Sequence, residues 1–306
     1  MGKLYFTPIG LLLFLYGMHI LRSGLSSMWN NKSENVLKKL IDTPWKGLLA
    51  GTAATVLLQS SSAVTVITIG LIDSGFIAWP LGLGIVLGTN IGTCATTQLL
   101  SFSVNQYWFL FIILGIVIRL LNRSRKLGKV LMGFGILLGA MELIIWSSAA
   151  INQGQWFKHS ISFSNSLIAS ALITAIIQSS SAFLAMVMAL SSTGVLELRE
   201  ALPLILGANL GTCVTALIAS IGGSTGAKKI AYSHILLNFI GIIAFLPLLP
   251  GFIILIEATS GSLPRQIANA HTMYNIICSL AALPGVNFMA NLLSRLPPID
   301  KKITLI

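Results

Sequence analysis

Residues 176–194 read IIQSSSAFLAMVMALSSTG, and residues 57–75 read LLQSSSAVTVITIGLIDSG. Each stretch sets a glutamine and three serines inside an apolar run: Gln59, Ser60, Ser61 and Ser62 in one, Gln178, Ser179, Ser180 and Ser181 in the other. Polar groups placed in hydrocarbon are costly unless they are bonded or line a wet cavity. The apolar arms on either side of each cluster are shorter than the roughly 20 residues that cross a bilayer. Segments 44–74 and 164–193 are therefore expected to be re-entrant hairpins, each entering and leaving on one side with its polar tip buried in protein.

The rest of the chain sets the context for such hairpins. Of 306 residues, 55% are hydrophobic and 9% charged, with a mean hydropathy of +0.88. Soluble domains carry about 25% charged residues. An all-α polytopic membrane protein is expected, with full crossings near 5–21, 79–100, 107–121, 130–151, 201–219, 230–249 and 266–284. The first run lacks a small-residue cleavage site and reads as a retained span.

The net charge of +11 could suggest nucleic acid, but the basic residues sit in short loops without interleaved aromatics. With seven crossings and two hairpins, fifteen of the nineteen Lys and Arg fall on one face, Arg22, Lys126 and Lys229 among them. Lys3, Lys158, Arg199 and Arg265 fall on the other. The first face is then cytoplasmic, which puts the N-terminus outside and the C-terminus inside. If either hairpin crossed fully, this asymmetry would collapse. Segments 31–42 and 153–163 are too polar to span and suit the membrane interface. The tail after Pro297 and Pro298 leaves no room for a soluble domain. Cys94, Cys213 and Cys278 lack metal or disulfide spacing and read as reduced, buried small residues.

The chain also matches itself without a gap. An offset of 119 lays Gln59 to Ala63 on Gln178 to Ala182 and Gly75 on Gly194. It also lays GTNIGTC, residues 88–94, on GANLGTC, residues 207–213. Residues 1–306 then form a single transport domain. It has a first repeat at 4–122, a second at 128–249 and an additional C-terminal span at 264–296. Three crossings separate the two polar clusters, and an odd number inverts the second copy. Inverted repeats with broken helices at the midplane are characteristic of secondary transporters.

A helix that begins just after each polar cluster would offer unpartnered N–H groups and the positive end of its dipole. With serine hydroxyls added, two such tips facing each other could surround a small oxyanion. The alternative is plain helix capping, for which one serine would suffice. Glycines at 88, 92, 207 and 211 suggest local unwinding. Freed carbonyls with Asn90, Thr93, Asn209 and Thr212 would then suit a desolvated monovalent cation. Bonding between helices is the alternative for the two asparagines. Divalent ions would demand carboxylates, and none lies near these segments.

His234 and Asn238, like His271 and Asn275, are i,i+4 pairs that could line a pathway or join helices. Glu142, aligned with His19, is the one acidic residue well inside a span. It is a candidate for proton coupling or a buried structural contact. No nucleophile, base and orienting group share a motif, so an enzyme is not expected.

The two QSSS tips, the GTNIGT-type segments and the stretch AHTMYN, residues 270–275, resemble the type II sodium/phosphate cotransporter family. The resemblance runs from the first span to about residue 290. It implies sodium-coupled import of inorganic phosphate across the plasma membrane by alternating access, with both QSSS segments shaping the substrate and sodium sites. It implies no organic cofactor, sodium as coupling ion, phosphate and the bilayer as partners, and no nucleic acid. The chain looks like a short bacterial-type member without the soluble regulatory domain of many relatives. A passive oxyanion channel and a proton-coupled phosphate transporter are the alternatives.

Overall fold

The computed structural model describes residues 2–28, 41–102, 105–121, 124–148 and 162–289. Among them the regular structure is helical. In chain order the helices are α1 (Phe6–Ser26), α2 (Pro44–Leu58), α3 (Ser61–Asp73), α4 (Trp79–Leu100), α5 (Trp108–Leu120) and α6 (Arg125–Ser148). Then follow α7 (Phe163–Ile177), α8 (Ser180–Ser192), α9 (Leu198–Ala219), α10 (Thr225–Phe245), α11 (Leu249–Glu257) and α12 (Leu263–Ala282). The expected interfacial segments and the C-terminal tail fall mainly outside the described residues.

Six stretches are long and apolar enough to cross a bilayer: α1, α4, α6, α9, the Thr225–Glu257 stretch of α10 and α11, and Leu263–Met289. The chain is a polytopic membrane protein. Its outer faces carry Leu12, Leu57, Ile113, Leu172, Ile176 and Ile254 exposed, as lipid contact requires. The expected seventh crossing, 107–121, is shorter than its apolar run suggested. α5 has 13 helical residues, about 20 Å at 1.5 Å per residue. The run starts in a tight 3-10 turn, Asn105–Tyr107, which uses up residues that would otherwise lengthen the helix. α5 lies antiparallel on α6, with Gly115 against Gly128 and Met132, and Gly135 against Trp108 and Ile112.

Glycines control how closely the helices approach. Gly10, Gly17 and Gly24 lie seven residues apart on α1 and meet α6 at Ile144, Leu137 and Val130 in turn. The falling numbers make the pair antiparallel. Gly47 of α2 meets Leu81 and Ile85, Gly51 meets Ile85, and Gly88 of α4 meets Leu48 and Thr52, so α2 and α4 run parallel. Gly207 of α9 meets Leu167, and Gly211 meets Ala171, which repeats that arrangement between α7 and α9. At Gly88 and Gly207 a Cβ would fall on a backbone carbonyl of the partner helix.

These contacts correct the expectation that glycines 88, 92, 207 and 211 unwind their helices. α4 and α9 run unbroken through both segments. Small residues four apart let two helix backbones touch, and the carbonyls stay in the helical ladder. Thr93 and Thr212 hydroxyls donate back to Thr89 O at 2.8 Å and Asn209 O at 2.7 Å.

Pro44 packs against Gly84, and Ile72 against Gly82. The start of α2 and the end of α3 therefore lie at the same level of α4, and the chain between them reverses at Gln59. One apolar core gathers Phe14, Leu138, Leu184 and Leu202. A second gathers Leu48, Leu83, Val86 and Ile230. The polar tips lie between these masses.

Close parallel packing has a direct test. Gly207→Ala is expected to cost about 3 kcal/mol through overpacking, read as a lower melting temperature of the purified protein in detergent. Gly70→Ala, with nothing within 4 Å of the added carbon, is expected to gain up to about 1 kcal/mol of helix propensity. A Gly207→Ala protein as stable as its parent would mean that α7 and α9 do not touch in this way.

Candidate functional site

Both polar tips are built alike. α2 ends at Leu58 and Gln59 turns left-handed, with φ 52° and ψ 30°. α7 ends at Ile177 and Gln178 does the same, with φ 54° and ψ 31°. Among the described residues these are the only non-glycine positions with positive φ. Ser60 and Ser179 then extend, each at φ −150°, and the next helix begins.

A left-handed glutamine is disfavoured by roughly 1–2 kcal/mol, so the surroundings must hold it. Gln59 Nε2 donates to Val56 O at 2.7 Å, and its Oε1 accepts from the Thr96 hydroxyl. Arg22 Nε donates to Gln59 O at 2.8 Å. At the second tip Gln178 N donates to Thr174 O at 2.7 Å.

The capping and ligand readings of the serines divide by position. Ser60 Oγ accepts from Ala63 N at 3.2 Å, and Ser179 Oγ accepts from Ala182 N at 3.3 Å. The first serine of each cluster is therefore the cap. Ser61 and Ser62, like Ser180 and Ser181, occupy the first turn, where backbone N–H groups have no helical acceptor.

The two tips face one small cavity. Gln59, Ser61 and Ser62 line it from one side and Gln178 to Ser181 from the other, with Arg22, Thr93 and Thr96 completing the wall. The second tip is the deeper one: Ser179, Ser180 and Ser181 are all buried, while Ser61 and Ser62 are half-buried.

Arg22 is the residue that sequence reasoning misplaced, as a cytoplasmic loop charge. It belongs to α1, which continues to Ser26, and its guanidinium reaches inward. Among the described residues the one ion pair is Lys46 with Asp42, at 2.6 Å, and Arg22 has no carboxylate partner among them. A guanidinium, two helix N-termini and a ring of hydroxyls favour an oxyanion.

The expected cation residues do come together. Asn90, Thr93, Asn209 and Thr212 line a second small cavity with Ser61, Ser62, Ser180 and His234. It shares Ser61, Ser62, Thr93 and Ser180 with the first, so the expected substrate and cation segments form one continuous polar centre. Ser62 Oγ lies 3.4 Å from Thr215 Oγ1, linking the first tip to α9.

Of the expected pathway residues, His234 alone is on the wall. Asn238, His271 and Asn275 are buried behind it. His234 Nε2 is 3.4 Å from Asn90 Oδ1, and its backbone oxygen accepts from Cys213 Sγ at 3.7 Å. His271 Nε2 is 3.3 Å from Asn209 Oδ1, and its backbone oxygen accepts from Cys94 Sγ at 3.7 Å. α10 and α12 thus brace α4 and α9 reciprocally.

Glu142 is elsewhere. It is exposed in a separate cavity of about 380 Å³ with Ser101, Gln106, Ser192 and Ser262. His19 is also exposed. Among the described residues no three His, Cys, Asp or Glu gather as a metal site. Three free cysteines occur, two of them buried in the braces.

The sequence model of the Na+/Pi-cotransporter family matches residues 13–145 and 157–255. The uncharacterized protein YqeW of Bacillus subtilis is 32% identical over 300 residues, covering 96% of this chain and 97% of that protein. YjbB of Escherichia coli K12, named as a proposed inorganic phosphate export protein, is 30% identical over 290 residues. That match covers 91% of this chain and 53% of YjbB, so the chain spans about half of its length. The rat sodium-dependent phosphate transport protein 2A is 28% identical over 177 residues, covering 52% of this chain and 26% of the rat protein. No solved structure matches. On the extent of the family match, the chain belongs to the Na+/Pi-cotransporter family, a family of transporters and not of enzymes.

Proposed function

We propose that this chain is a sodium-coupled symporter that moves inorganic phosphate across the plasma membrane by alternating access. The observation that carries the reading is the shared cavity. Two tips 119 positions apart in sequence line one cavity with the first-turn serines of the helices they start, and Arg22 lines it beside them. A tetrahedral oxyanion offers acceptors in several directions and meets both tips and the guanidinium at once. The α2–α3 and α7–α8 pairs act as re-entrant hairpins of two inverted repeats, and α5 serves as a short seventh crossing. The return of Pro44 and Ile72 to one level of α4 supports the first hairpin.

Coupling draws on the adjoining cavity. Thr93 and Thr212 give their hydrogens to their own helices, which leaves oxygen lone pairs for a desolvated sodium ion. The name of the rat relative supports sodium as coupling ion. The name of YjbB favours a second reading, outward transport of phosphate by the same site.

Radiolabelled phosphate flux in proteoliposomes separates these possibilities. An inward sodium gradient is expected to concentrate phosphate, and choline replacement to abolish this. Equal uptake under a proton gradient alone would reject sodium coupling and turn attention to Glu142. Concentration only out of the vesicle lumen, in oriented vesicles, would favour export.

The serines divide into two experimental groups. Ser179→Ala is expected to cost about 1 kcal/mol of stability through the lost cap and to spare transport by the protein that folds. Ser61→Asp and Ser180→Asp are expected to fold and lose transport. A carboxylate about 4 Å from phosphate costs on the order of 4 kcal/mol at an effective dielectric near 20, about a thousandfold in affinity. Wild-type flux in both Asp variants would reject the tips as the anion site.

Orientation is tested by labelling a cysteine-free variant from outside intact cells. A cysteine at Gly261, in the α11–α12 loop, is expected to react with an impermeant thiol reagent, and one at Lys126 or Lys229 to resist. The reverse pattern would invert the topology.

A further inference from the structure

The cavity lined by Asn90 and Asn209 holds two carboxamides whose orientation decides what they can bind. Asn275 Nδ2 donates to His271 O at 2.8 Å, which identifies that atom as nitrogen. The same nitrogen lies 3.5 Å from the Asn209 side chain, so the atom of Asn209 facing it is the acceptor oxygen. His271 Nε2 approaches the same oxygen at 3.3 Å. An oxygen cannot donate, so this contact requires the proton on Nε2, with Nδ1 left to accept from the Thr97 hydroxyl 3.1 Å away. With Oδ1 engaged on the α12 side, Nδ2 remains, buried and without a partner among the described residues. Asn209 is 6% exposed and lines the cavity. Asn90 occupies the matching position on α4: its Oδ1 lies 3.4 Å from His234 Nε2, and it lines the same cavity half-buried, without a counterpart to the Asn275 contact among the described residues.

We infer that Asn209 and Asn90 offer amide N–H donors to the substrate oxyanion, and that His271, His234 and Asn275 are positioning residues that hold the carboxamides turned that way. The inference deepens the phosphate reading and rests on it. A sodium ion needs oxygen lone pairs, and a carboxamide turned nitrogen-inward has none to give. An oxyanion needs donors, and a buried donor left unpaired is costly until something accepts from it. The walls shared with the tip cavity, Ser61, Ser62 and Ser180, put these donors beside the same ligand.

The test is equilibrium binding of radiolabelled inorganic phosphate to the purified full chain, titrated against sodium, with melting temperature recorded. Asn209→Asp exchanges the donor for a negative charge. It is expected to weaken phosphate binding about a hundredfold or more, with no gain in sodium affinity. His271→Ala is expected to weaken phosphate binding about tenfold, the scale of one charge-assisted hydrogen bond. His271→Gln, which keeps a donor near the Nε2 position, is expected to recover most of that loss. A role confined to packing would lower the melting temperature in both His271 variants without separating them in affinity. If Asn209→Asp does not yield folded protein, Asn90→Asp at the half-buried partner position carries the same expectation.

Phosphate affinity within about threefold of the parent, together with tighter sodium binding, would show the oxygens turned to a cation and overturn the inference alone. A parent chain that binds no phosphate would overturn both the inference and the reading beneath it.

Discussion

The structure depends on a helix broken inside the protein. A helix interrupted in water leaves ends that water can satisfy, but one interrupted between apolar cores leaves donors that only protein or ligand can reach. Gln59 and Gln178 make this break by turning left-handed, and Ser60 and Ser179 cap the helix that follows. The cap satisfies one amide per tip. The remaining first-turn amides belong to Ser61, Ser62, Ser180 and Ser181, which line the cavity. The turn is kept in place by contacts that themselves belong to the cavity wall: Arg22 on Gln59 O and Thr96 on Gln59 Oε1. The groups that stabilise the unusual backbone are the same groups that give the cavity its positive character.

Bringing two such breaks together requires backbones to approach more closely than most side chains permit. Gly47, Gly51, Gly88 and Gly92 allow it between α2 and α4, and Gly207 and Gly211 allow it between α7 and α9. The glycine pairing therefore sets the depth at which each tip stops. On α1 the glycines at 10, 17 and 24 place one face of the helix flush against α6. That seating carries Arg22 to the tips, where its charge has no carboxylate competitor among the described residues.

Much of this was legible in the sequence, because a polar tetrad in an apolar run is conspicuous and its second copy more so. Polytopic helical architecture and the two interrupted segments could be read from residue type and spacing; the sharing of a cavity wall by the QSSS tips and the Asn-Thr segments could not. Arg22 could not be read in that way. In GMHILRSGL it looks like the first charge after a span, and the positive-inside rule gave it a loop. The signal that it belongs to a helix was the seven-residue glycine spacing, which runs on through Gly24.

The glycines of GTNIGTC were misread for a related reason. Taken singly, glycine suggests unwinding. Taken at four-residue spacing beside matching small residues on another helix, it signals close packing. The side-chain contacts of His234 and His271 were beyond spacing rules, since i,i+4 shows which face a pair shares and not which helix that face meets.

The four helices at the centre form a closed circuit. α10 touches α4 through the His234 imidazole and α9 through its backbone oxygen, while α12 touches α9 through the His271 imidazole and α4 through its backbone oxygen. Separating α4 from α9 would break at least one of these contacts on each bracing helix and strip partners from buried polar groups, which low-dielectric surroundings make costly. The tips are tied to this circuit more lightly, through Ser62 to Thr215 and Thr96 to Gln59. The four contacts tie α4, α9, α10 and α12 into one group. The glutamine turns and the glycine seams carry polar ties of their own: Arg22 and Thr96 hold Gln59, Thr52 donates to Gly88 O, and Ser170 donates to Pro203 O.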